Sequence, residues 1–360
     1  MRVGLIVNPI AGAGGPLALH GSDGFVPGAL PPAHAAQRAA EAVAALGRAP
    51  HWLCGAGAMG EALLRGQGAE PQVVGTAAWP SRAADTRAAA AAICEQGAEL
   101  LLFAGGDGTA RDVMDAVGER LPVLGIPAGV KLQSGCFGTS ARAAGRLARA
   151  FLDGHARLTE PREVMDLDEA ELAQGRVAAR LHGLLRTPVD ARLLQGRKSR
   201  SLPADAEAAA ALAAAVAPQL AQGLHVIGPG STTWALKQAL GLDGSLIGVD
   251  VVADGRLVQR DATEAQLWGC VGSGPKARLW LTAIGGQGHV IGRGNAPLSP
   301  RVLRALGREA LTLLLTPRKL QGLPALRVDS GDAAVDAMFN GPVRALTGPR
   351  DQAVLRLASD

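Results

Sequence analysis

Short apolar runs alternate with helical segments along the first half of the chain. Residues 3–7, 100–103 and 122–126 are short, mostly apolar stretches, a pattern that is typical of strands buried on both faces. Alanine-rich helices are predicted at residues 32–46 and 82–96. This alternation predicts an α/β N-terminal domain built on a doubly wound parallel sheet.

The pattern changes near residue 158. Residues 163–169 and 176–185 alternate apolar and polar side chains, as half-buried antiparallel strands do. Shorter strands are predicted further on, at 246–252, 256–258, 278–284 and 310–315. We therefore predict an α/β nucleotide-binding domain at 1–157 and a β-rich substrate-binding domain at 158–335, with residues 336–360 as a candidate addition to the first domain.

Polar, glycine-rich loops follow three of the predicted strands, at residues 8–15, 105–109 and 127–135. Loops at the carboxyl ends of parallel strands share one edge of the sheet, where ligands of such sheets bind. Glycine allows close backbone approach, and a helix N-terminus favours phosphate. The loops therefore predict a phosphate site, with a flexible connection as the alternative for residues 8–15.

Asp107 stands in the strand-to-helix turn Gly105-Gly-Asp-Gly-Thr109. A carboxylate at such a turn is placed to act as a catalytic base or to bind a metal.

A second glycine motif, Gly55-Ala-Gly-Ala-Met-Gly60, has the GxGxxG pattern of dinucleotide-binding enzymes. That fingerprint also requires an acidic residue about 20 positions later, and residues 73–79 contain no carboxylate. An oxidoreductase stays an alternative, which the missing acidic residue disfavours.

The composition fits two globular domains. The chain has 360 residues, 48% hydrophobic and 19% charged, enough for two separate cores. The formal charge of +4 suits phosphorylated ligands, whereas scattered arginines and an aromatic content of 3% disfavour nucleic acid. Four cysteines without CxxC spacing indicate a reduced, cytoplasmic protein without a zinc site. No apolar run predicts membrane insertion.

Two glycine motifs together resemble a known superfamily. Asn8-Pro-x-Ala-Gly12 and the Gly105–Thr109 turn are similar to elements of NAD kinases, diacylglycerol kinases and sphingosine kinases. Pro229-Gly-Ser-Thr-Thr-Trp-Ala-Leu236 looks like the NAD kinase element Pro-Thr-Gly-Ser-Thr-Ala-Tyr. With residues 20–24, 129–134, 286–289 and 292–295, the chain is most similar to the ATP-NAD kinase-like branch that includes proteins associated with acetoin catabolism.

This resemblance spans nearly the whole chain and implies the two-domain architecture of NAD kinases. It implies a kinase that uses ATP and Mg²⁺ to phosphorylate a hydroxyl of NAD or of a related nucleotide or small metabolite, and a homo-oligomer. Asp107 would be the catalytic base, and metal ligands are not assigned, although Asp112 is a candidate to orient a metal-bound water. The implied ATP-binding residues are Asn8, Gly12, Gly14, Gly105, Gly106, Gly108, Thr109, Lys131 and Ser134. The implied substrate-binding residues are Ser231, Thr232, Gln287, His289 and Asn295.

The chain also departs from the resemblance. The Asn-Glu or Asn-Asp pair that holds the substrate ribose in NAD kinases has no clear equivalent, and Gly230 and Trp234 replace the Thr and Tyr of the family element. Two alternatives stay open: a catalytically silent nucleotide-binding accessory or sensor protein in a catabolic pathway, and a lipid kinase.

Overall fold

In a computed structural model, the chain folds into two compact units. The first comprises the described residues of Met1–Gly14 and Gly21–Arg197, and the second those of Gly15–His20 and Lys198–Asp360. The described residues are 1–19, 26–28, 32–47, 51–76, 79–129, 132–155, 158–167, 179–190, 193–194, 203–272, 274, 276–284, 287–323 and 325–359.

The first unit is built on five parallel strands in the order β3-β2-β1-β4-β5. The central strands are apolar and almost entirely buried, because helices cover both faces of the sheet. This confirms the predicted doubly wound α/β domain. The strands are β1 (Arg2–Val7), β2 (His51–Gly55), β3 (Gln72–Val74), β4 (Leu100–Gly105) and β5 (Val123–Pro127).

Two cores lie on opposite faces of this sheet. Alanine-rich faces of α1 and α5 pack on one side of the strands, around Leu5 and Leu102, and α3 and α4 pack on the other side, around Ile6 and Phe103. The helices are α1 (Ala33–Leu46), α2 (Glu61–Gly66), α3 (Ala83–Glu95), α4 (Asp107–Val117) and α5 (Ala141–Leu152).

A hairpin extends the first unit beyond residue 158. Its strands β6 (Thr159–Leu167) and β7 (Ala179–Pro188) are antiparallel, as the alternating pattern predicts. Val164 and Leu185 are fully buried in the same core as Val113 of α4. The first unit therefore extends beyond the predicted domain boundary at 157/158, because the hairpin packs its apolar face into the core of this unit.

The second unit contains a nine-stranded mixed sheet in the order β10-β9-β8-β11-β13-β15-β16-β14-β12. Strands β8, β11, β13 and β15 are parallel to one another, and this confirms the predicted β-rich domain. The C-terminal strands β15 and β16 belong to this sheet, so residues 336–360 lie in the second unit and not in the first. The strands are β8 (Leu224–Ile227), β9 (Asp250–Ala253), β10 (Arg256–Gln259), β11 (Ala277–Leu281), β12 (His289–Ile291), β13 (Leu311–Leu314), β14 (Leu326–Val328), β15 (Gly341–Leu346) and β16 (Gln352–Ser359).

Helices of the second unit pack around two apolar clusters. Among the described residues, no helix has the length and apolar character needed to cross a membrane. The helices are α6 (Pro203–Val216), α7 (Ser231–Ala239), α8 (Glu264–Val271), α9 (Pro300–Leu306), α10 (Pro317–Gln321) and α11 (Ala333–Phe339).

Two pairs of buried polar side chains join elements of the second unit. Lys237 of α7 is fully buried, and its Nζ lies 2.9 Å from Oδ2 of Asp250 at the start of β9. Elsewhere in the sheet, Trp280 Nε1 donates to His225 Nδ1 at 3.1 Å. Both groups are satisfied within the protein, as buried polar atoms require.

Candidate functional site

The loops after β1 and β4 meet where the strand order of the first sheet reverses. Strands β1 and β4 are neighbours, and the chain continues from them toward opposite edges, which is the usual position of a ligand in such sheets. Asn8 donates its backbone N–H to Ala104 at 2.9 Å and its Nδ2 to Thr109 Oγ1 at 2.9 Å. Hydrogen bonds thus join the two loops across this point.

Glycines let these loops approach the loop after β5. Gly12 has φ +75°, and a Cβ there would lie 2.3 Å from the carbonyl oxygen of Ala128. Gly105 accepts hydrogen bonds from the backbone N–H groups of Ala128 at 3.1 Å and Gly129 at 3.0 Å. The structure therefore brings the three predicted loops together.

Asp107 is the first residue of α4 and is only 8% exposed. Its Oδ2 accepts the backbone N–H of Gln133 at 2.8 Å. Its Oδ1 accepts from Ser134 twice, from the backbone N–H at 3.0 Å and from Oγ at 2.6 Å. Three donors suit an ionised carboxylate, so Asp107 holds the loop after β5 against the start of α4.

Ser134, a predicted ATP-binding residue, is fully buried. Besides donating to Asp107, its Oγ accepts the backbone N–H of Met165 in β6 at 2.9 Å. The hydroxyl therefore connects the loop to the hairpin, and its observed bonds are to protein groups.

Gly108 has open space beside it. A Cβ at Gly108 would meet nothing within 4 Å, and the residue is exposed in the first turn of α4. The positive end of the helix dipole lies here, so an anion such as phosphate fits against this turn. Gly14 is buried in the first unit, and Lys131 lies outside the described residues.

Cations near these loops were missed by sequence reasoning. Arg38 of α1 is buried, and its Nε donates to the carbonyl oxygen of Pro127 at 3.3 Å. Arg87 of α3 donates to Asp112 Oδ1 at 2.6 Å. Burial raises the pKa of the Asp112 carboxyl, and Arg87 and Arg111 act in the opposite direction. Both arginines lie in alanine-rich helices. Arg87 is exposed, and nothing in the spacing of the buried Arg38 distinguishes it from a surface residue.

The described residues contain no group of three or more His, Cys, Asp or Glu side chains arranged for a metal ion. Asp107 and Asp112 are engaged by backbone N–H groups and an arginine, respectively. This donor set does not form a protein cage for Mg²⁺, which commonly binds through nucleotide phosphates and water.

Two thiols lie inside the first unit. Burial raises the pKa of the Cys54 thiol to about 12. The pKa of Cys136 is also raised, first by burial and then by the Asp107 charge. Both are therefore protonated and poorly reactive.

In the second unit, Ser231 and Thr232 begin α7, directly beyond the end of β8. Thr232 Oγ1 accepts a hydrogen bond of 2.9 Å from Lys319 Nζ, and Thr282 Oγ1 accepts another of 3.0 Å. Lys319 lies 87 residues from Thr232, so no local pattern could have predicted this contact.

Gln287, His289 and Asn295 lie in the segment that follows β11 and contains β12. All three side chains are buried. Asn295 closes its own loop, since its Oδ1 accepts Gly292 N–H at 2.9 Å and its Nδ2 donates to the Val290 carbonyl at 2.8 Å. The segments 20–24 and part of 129–134 and 286–289 fall outside the described residues.

The GxGxxG segment after β2 has a different environment. The backbone N–H of Gly57 donates to Glu61 Oε2 at 2.9 Å, so a carboxylate of the chain itself lies where a dinucleotide phosphate would bind. This hydrogen bond is the main reason that the pKa of Glu61 is lowered.

Comparison with known proteins gives two consecutive matches. The family model of the ATP-NAD kinase N-terminal domain matches residues 3–156, and that of the ATP-NAD kinase C-terminal domain matches residues 224–357. Neither the curated proteins nor the solved structures gave a match to the chain.

Proposed function

We propose, because this chain belongs to the ATP-NAD kinase family, that it transfers the γ-phosphoryl group of ATP to a hydroxyl of NAD or of a related nucleotide or small metabolite. The observation that carries this proposal is the joining of three strand-end loops at the reversal point of the first sheet. Asn8, Gly12 and Asp107 each contribute to these contacts.

ATP phosphates would bind against the first turn of α4. The exposed Gly108 leaves room for them, and the helix N-terminus favours their charge. Asn8, Gly12, Gly14, Gly105, Gly106, Thr109, Lys131 and Ser134 complete the proposed ATP-binding set. Mg²⁺ would arrive bound to the ATP phosphates, where it neutralises charge on the transferred group.

Asp107 would act on the acceptor hydroxyl. As the acceptor oxygen bonds to the γ-phosphorus and the bond to the ADP oxygen breaks, the hydroxyl proton passes to the Asp107 carboxylate. Such proton transfer contributes roughly 10²–10⁴-fold, and positioning and electrostatics supply more. Ser231, Thr232, Gln287, His289 and Asn295 are the proposed acceptor-binding residues.

Phosphoryl transfer from γ-labelled ATP to NAD and to a panel of hydroxyl-bearing metabolites tests the proposal. Asp107→Asn should lower kcat/KM by about 10²-fold or more. Asp115→Asn is the matched control, because it makes the same chemical change at an exposed position of the same helix.

Folding must be measured alongside activity. Asp107→Asn replaces one carboxylate oxygen by an NH₂ group, which would face the backbone N–H of either Gln133 or Ser134. The donor that loses its acceptor costs about 1–3 kcal/mol of stability. Thermal unfolding of both variants separates this loss from a loss of chemistry. Absence of transfer by the wild-type chain to every acceptor would overturn the kinase proposal.

A nucleotide-binding accessory or sensor protein is the second candidate. It is favoured by the bonds of Asp107, whose carboxylate positions the 133–134 backbone without any need for chemistry. Calorimetry that finds tight ATP binding without turnover would support this function.

Three narrower expectations stay proposals: membership of the acetoin-associated branch, a cytoplasmic location and a homo-oligomer. For the last, strand β10 is an edge of the second sheet, and open edges can pair with a second copy. Light scattering of the purified chain measures its mass directly.

A further inference from the structure

Ser134 joins the proposed catalytic base to the hairpin of the first unit. Its Oγ lies 2.6 Å from Asp107 Oδ1 and 2.9 Å from the backbone nitrogen of Met165 in β6. A hydroxyl has one proton to donate and lone pairs to accept, so Ser134 donates to the carboxylate and accepts from Met165. Ser134 is fully buried and Asp107 is 8% exposed, so bulk water has little access to these hydrogen bonds.

The contact between Ser134 and Asp107 belongs to the strong class of hydrogen bonds. Bonds from a hydroxyl to a carboxylate are short, at about 2.5–2.7 Å, and roughly twice as strong as bonds between neutral groups. The backbone N–H of Ser134 donates to the same oxygen at 3.0 Å. Two bonds from one residue therefore converge on Oδ1 and orient the carboxylate, and a proton-accepting group depends on such orientation.

The hairpin in turn holds Ser134. Val164 of β6 is fully buried in a core to which α4 also contributes, and Asp107 is the first residue of α4. The backbone N–H of Gly135 donates to the Glu163 carbonyl oxygen at 2.9 Å, which fixes the chain next to Ser134. Packing and hydrogen bonds therefore both connect the base, the loop after β5 and the hairpin.

The Ser134 hydroxyl has a second acceptor beside Asp107. The carbonyl oxygen of Met165 lies 3.3 Å from Oγ. While Asp107 is ionised, the shorter bond to its charged oxygen is favoured. Once Asp107 has taken the proton of the acceptor hydroxyl, the Ser134 hydroxyl can rotate toward Met165 and keep its own proton. Ser134 can therefore remain hydrogen-bonded in both protonation states of the base.

We propose that Ser134 is a positioning residue, held by the β6–β7 hairpin, that orients the Asp107 carboxylate for proton transfer. This inference rests on the proposed function, since it concerns the base of the phosphoryl transfer. It assigns the Ser134 side chain to the base, in place of the ATP contact that the resemblance implies. The two roles differ in their kinetics, because a contact with ATP affects the KM for ATP, whereas orientation of the base affects kcat.

Steady-state kinetics of Ser134→Ala test the inference. The variant should lower kcat by about tenfold or more, since a hydrogen bond to a charged group is lost, and should leave the KM for ATP close to that of the wild type. Ser140→Ala is the matched control, because it removes another buried serine hydroxyl of the same unit, which accepts the backbone N–H of Ala143. This control should keep the wild-type kcat. A raised KM for ATP with an unchanged kcat in Ser134→Ala would overturn the inference.

A double variant shows whether Ser134 acts through Asp107. When Asp107→Asn is already present, no carboxylate remains to be oriented, so adding Ser134→Ala should change kcat little. Transfer from γ-labelled ATP makes the low activity of these variants measurable. The same fold-loss from Ser134→Ala in both backgrounds would show that Ser134 acts independently of Asp107, which contradicts the inference.

A second substitution covers the case in which Ser134→Ala does not fold. Ser134→Cys has nearly the same shape and keeps a weak donor, so it should lower kcat in the same direction but by less. Thermal unfolding of each variant shows which of them is folded at the assay temperature. A wild-type kcat in a folded variant at this position contradicts the inference.

The wild-type chain separates this inference from the proposed function. Transfer by the wild type together with an unchanged kcat in Ser134→Ala removes only the role of Ser134. Absence of transfer by the wild type to every acceptor removes the kinase and, with it, the positioning role.

Discussion

The hydroxyl of Thr109 is a small group with a large structural effect. It accepts from Asn8, which lies 101 residues away in sequence, and it lies 2.4 Å from the position that a Cβ on Gly105 would take. The turn after β4 and the loop after β1 therefore depend on the same side chain.

Thr109→Val should separate the two loops. Valine keeps the branched shape but cannot accept from Asn8, which costs about 1 kcal/mol of stability and should raise the KM for ATP. Urea unfolding and steady-state kinetics measure the two effects. Thr109→Ser keeps the hydroxyl and should stay close to wild type, and equal behaviour of the two variants would contradict the argument.

His225 makes stability depend on pH. Its Nδ1 accepts from Trp280 at 3.1 Å and its Nε2 faces the Gln222 carbonyl at 2.8 Å, an arrangement that requires the neutral ring with the proton on Nε2. Burial is the main cause that lowers the pKa of His225 below its ordinary value of 6.5. Below about pH 6.5, His225 binds a proton more readily in the unfolded chain than in the folded chain. The free energy of unfolding therefore falls as the pH falls.

Urea midpoints at about pH 7.5 and about pH 5.5, on either side of the ordinary histidine pKa, measure this dependence. His225→Gln should be less stable at the higher pH, because the Trp280 contact is disturbed, but should lose less stability between the two pH values. An unchanged pH dependence in the variant would assign the effect to other groups.

Among the elements, α7 depends on one buried ion pair. Lys237 Nζ lies 2.9 Å from Asp250 Oδ2 and donates to the Ser245 carbonyl at 2.7 Å. Asp250 in turn accepts the backbone N–H groups of Ser245 and Asp261, each at 2.7 Å. The pair thus fixes the chain between α7 and β9.

Lys237→Met should destabilise the protein by about 3–5 kcal/mol, because it leaves a buried carboxylate without its cation. Adding Asp250→Leu should not restore stability, since two backbone N–H groups would then lose their acceptor. Denaturant unfolding checks both variants, with the exposed Lys276→Met as control. Recovery in the double variant would show that the backbone bonds matter little.

Strands were the elements most readily predicted from sequence. Apolar runs such as residues 3–7 and 100–103 lie within β1 and β4, because strands buried on both faces leave a continuous apolar signal. The alternation of apolar and polar residues predicts an antiparallel hairpin, but it does not indicate which core contains Val164 and Leu185. That choice depends on the shape of α4, which no local pattern encodes.

The whole molecule divides into two units with separate cores, and the proposed function assigns them different ligands. This assignment has a kinetic consequence, because a change in one set of binding residues should affect the KM of one substrate.

Gly108→Ala should raise the KM for ATP and leave the KM of the acceptor unchanged. The new Cβ meets nothing within 4 Å, and alanine favours a helix by up to about 1 kcal/mol, so stability should not fall. Ser231→Ala should show the opposite kinetic pattern. Initial rates over both substrate concentrations check this, and an unaltered KM for ATP in Gly108→Ala would place the phosphates elsewhere.

The candidate sites were only partly predictable at this scale. The glycine turn at 105–109 and the residues Ser231 and Thr232 carry local motifs, and the structure places them at strand ends. By contrast, the Asp107–Ser134 and Lys319–Thr282 contacts span 27 and 37 residues. Such contacts arise from the packing of whole strands, so short motifs do not contain them.

The two buried thiols of the first unit, Cys54 and Cys136, make it possible to measure how often the folded unit opens. Cys94 and Cys270 are partly exposed, so a neutral alkylating reagent should label them first. Cys54, in β2, and Cys136 are buried, and their labelling requires a transient opening of the first unit. Timed alkylation followed by mass spectrometry would therefore give the opening rate of the intact fold in ordinary buffer, and bound ATP should slow labelling of Cys136.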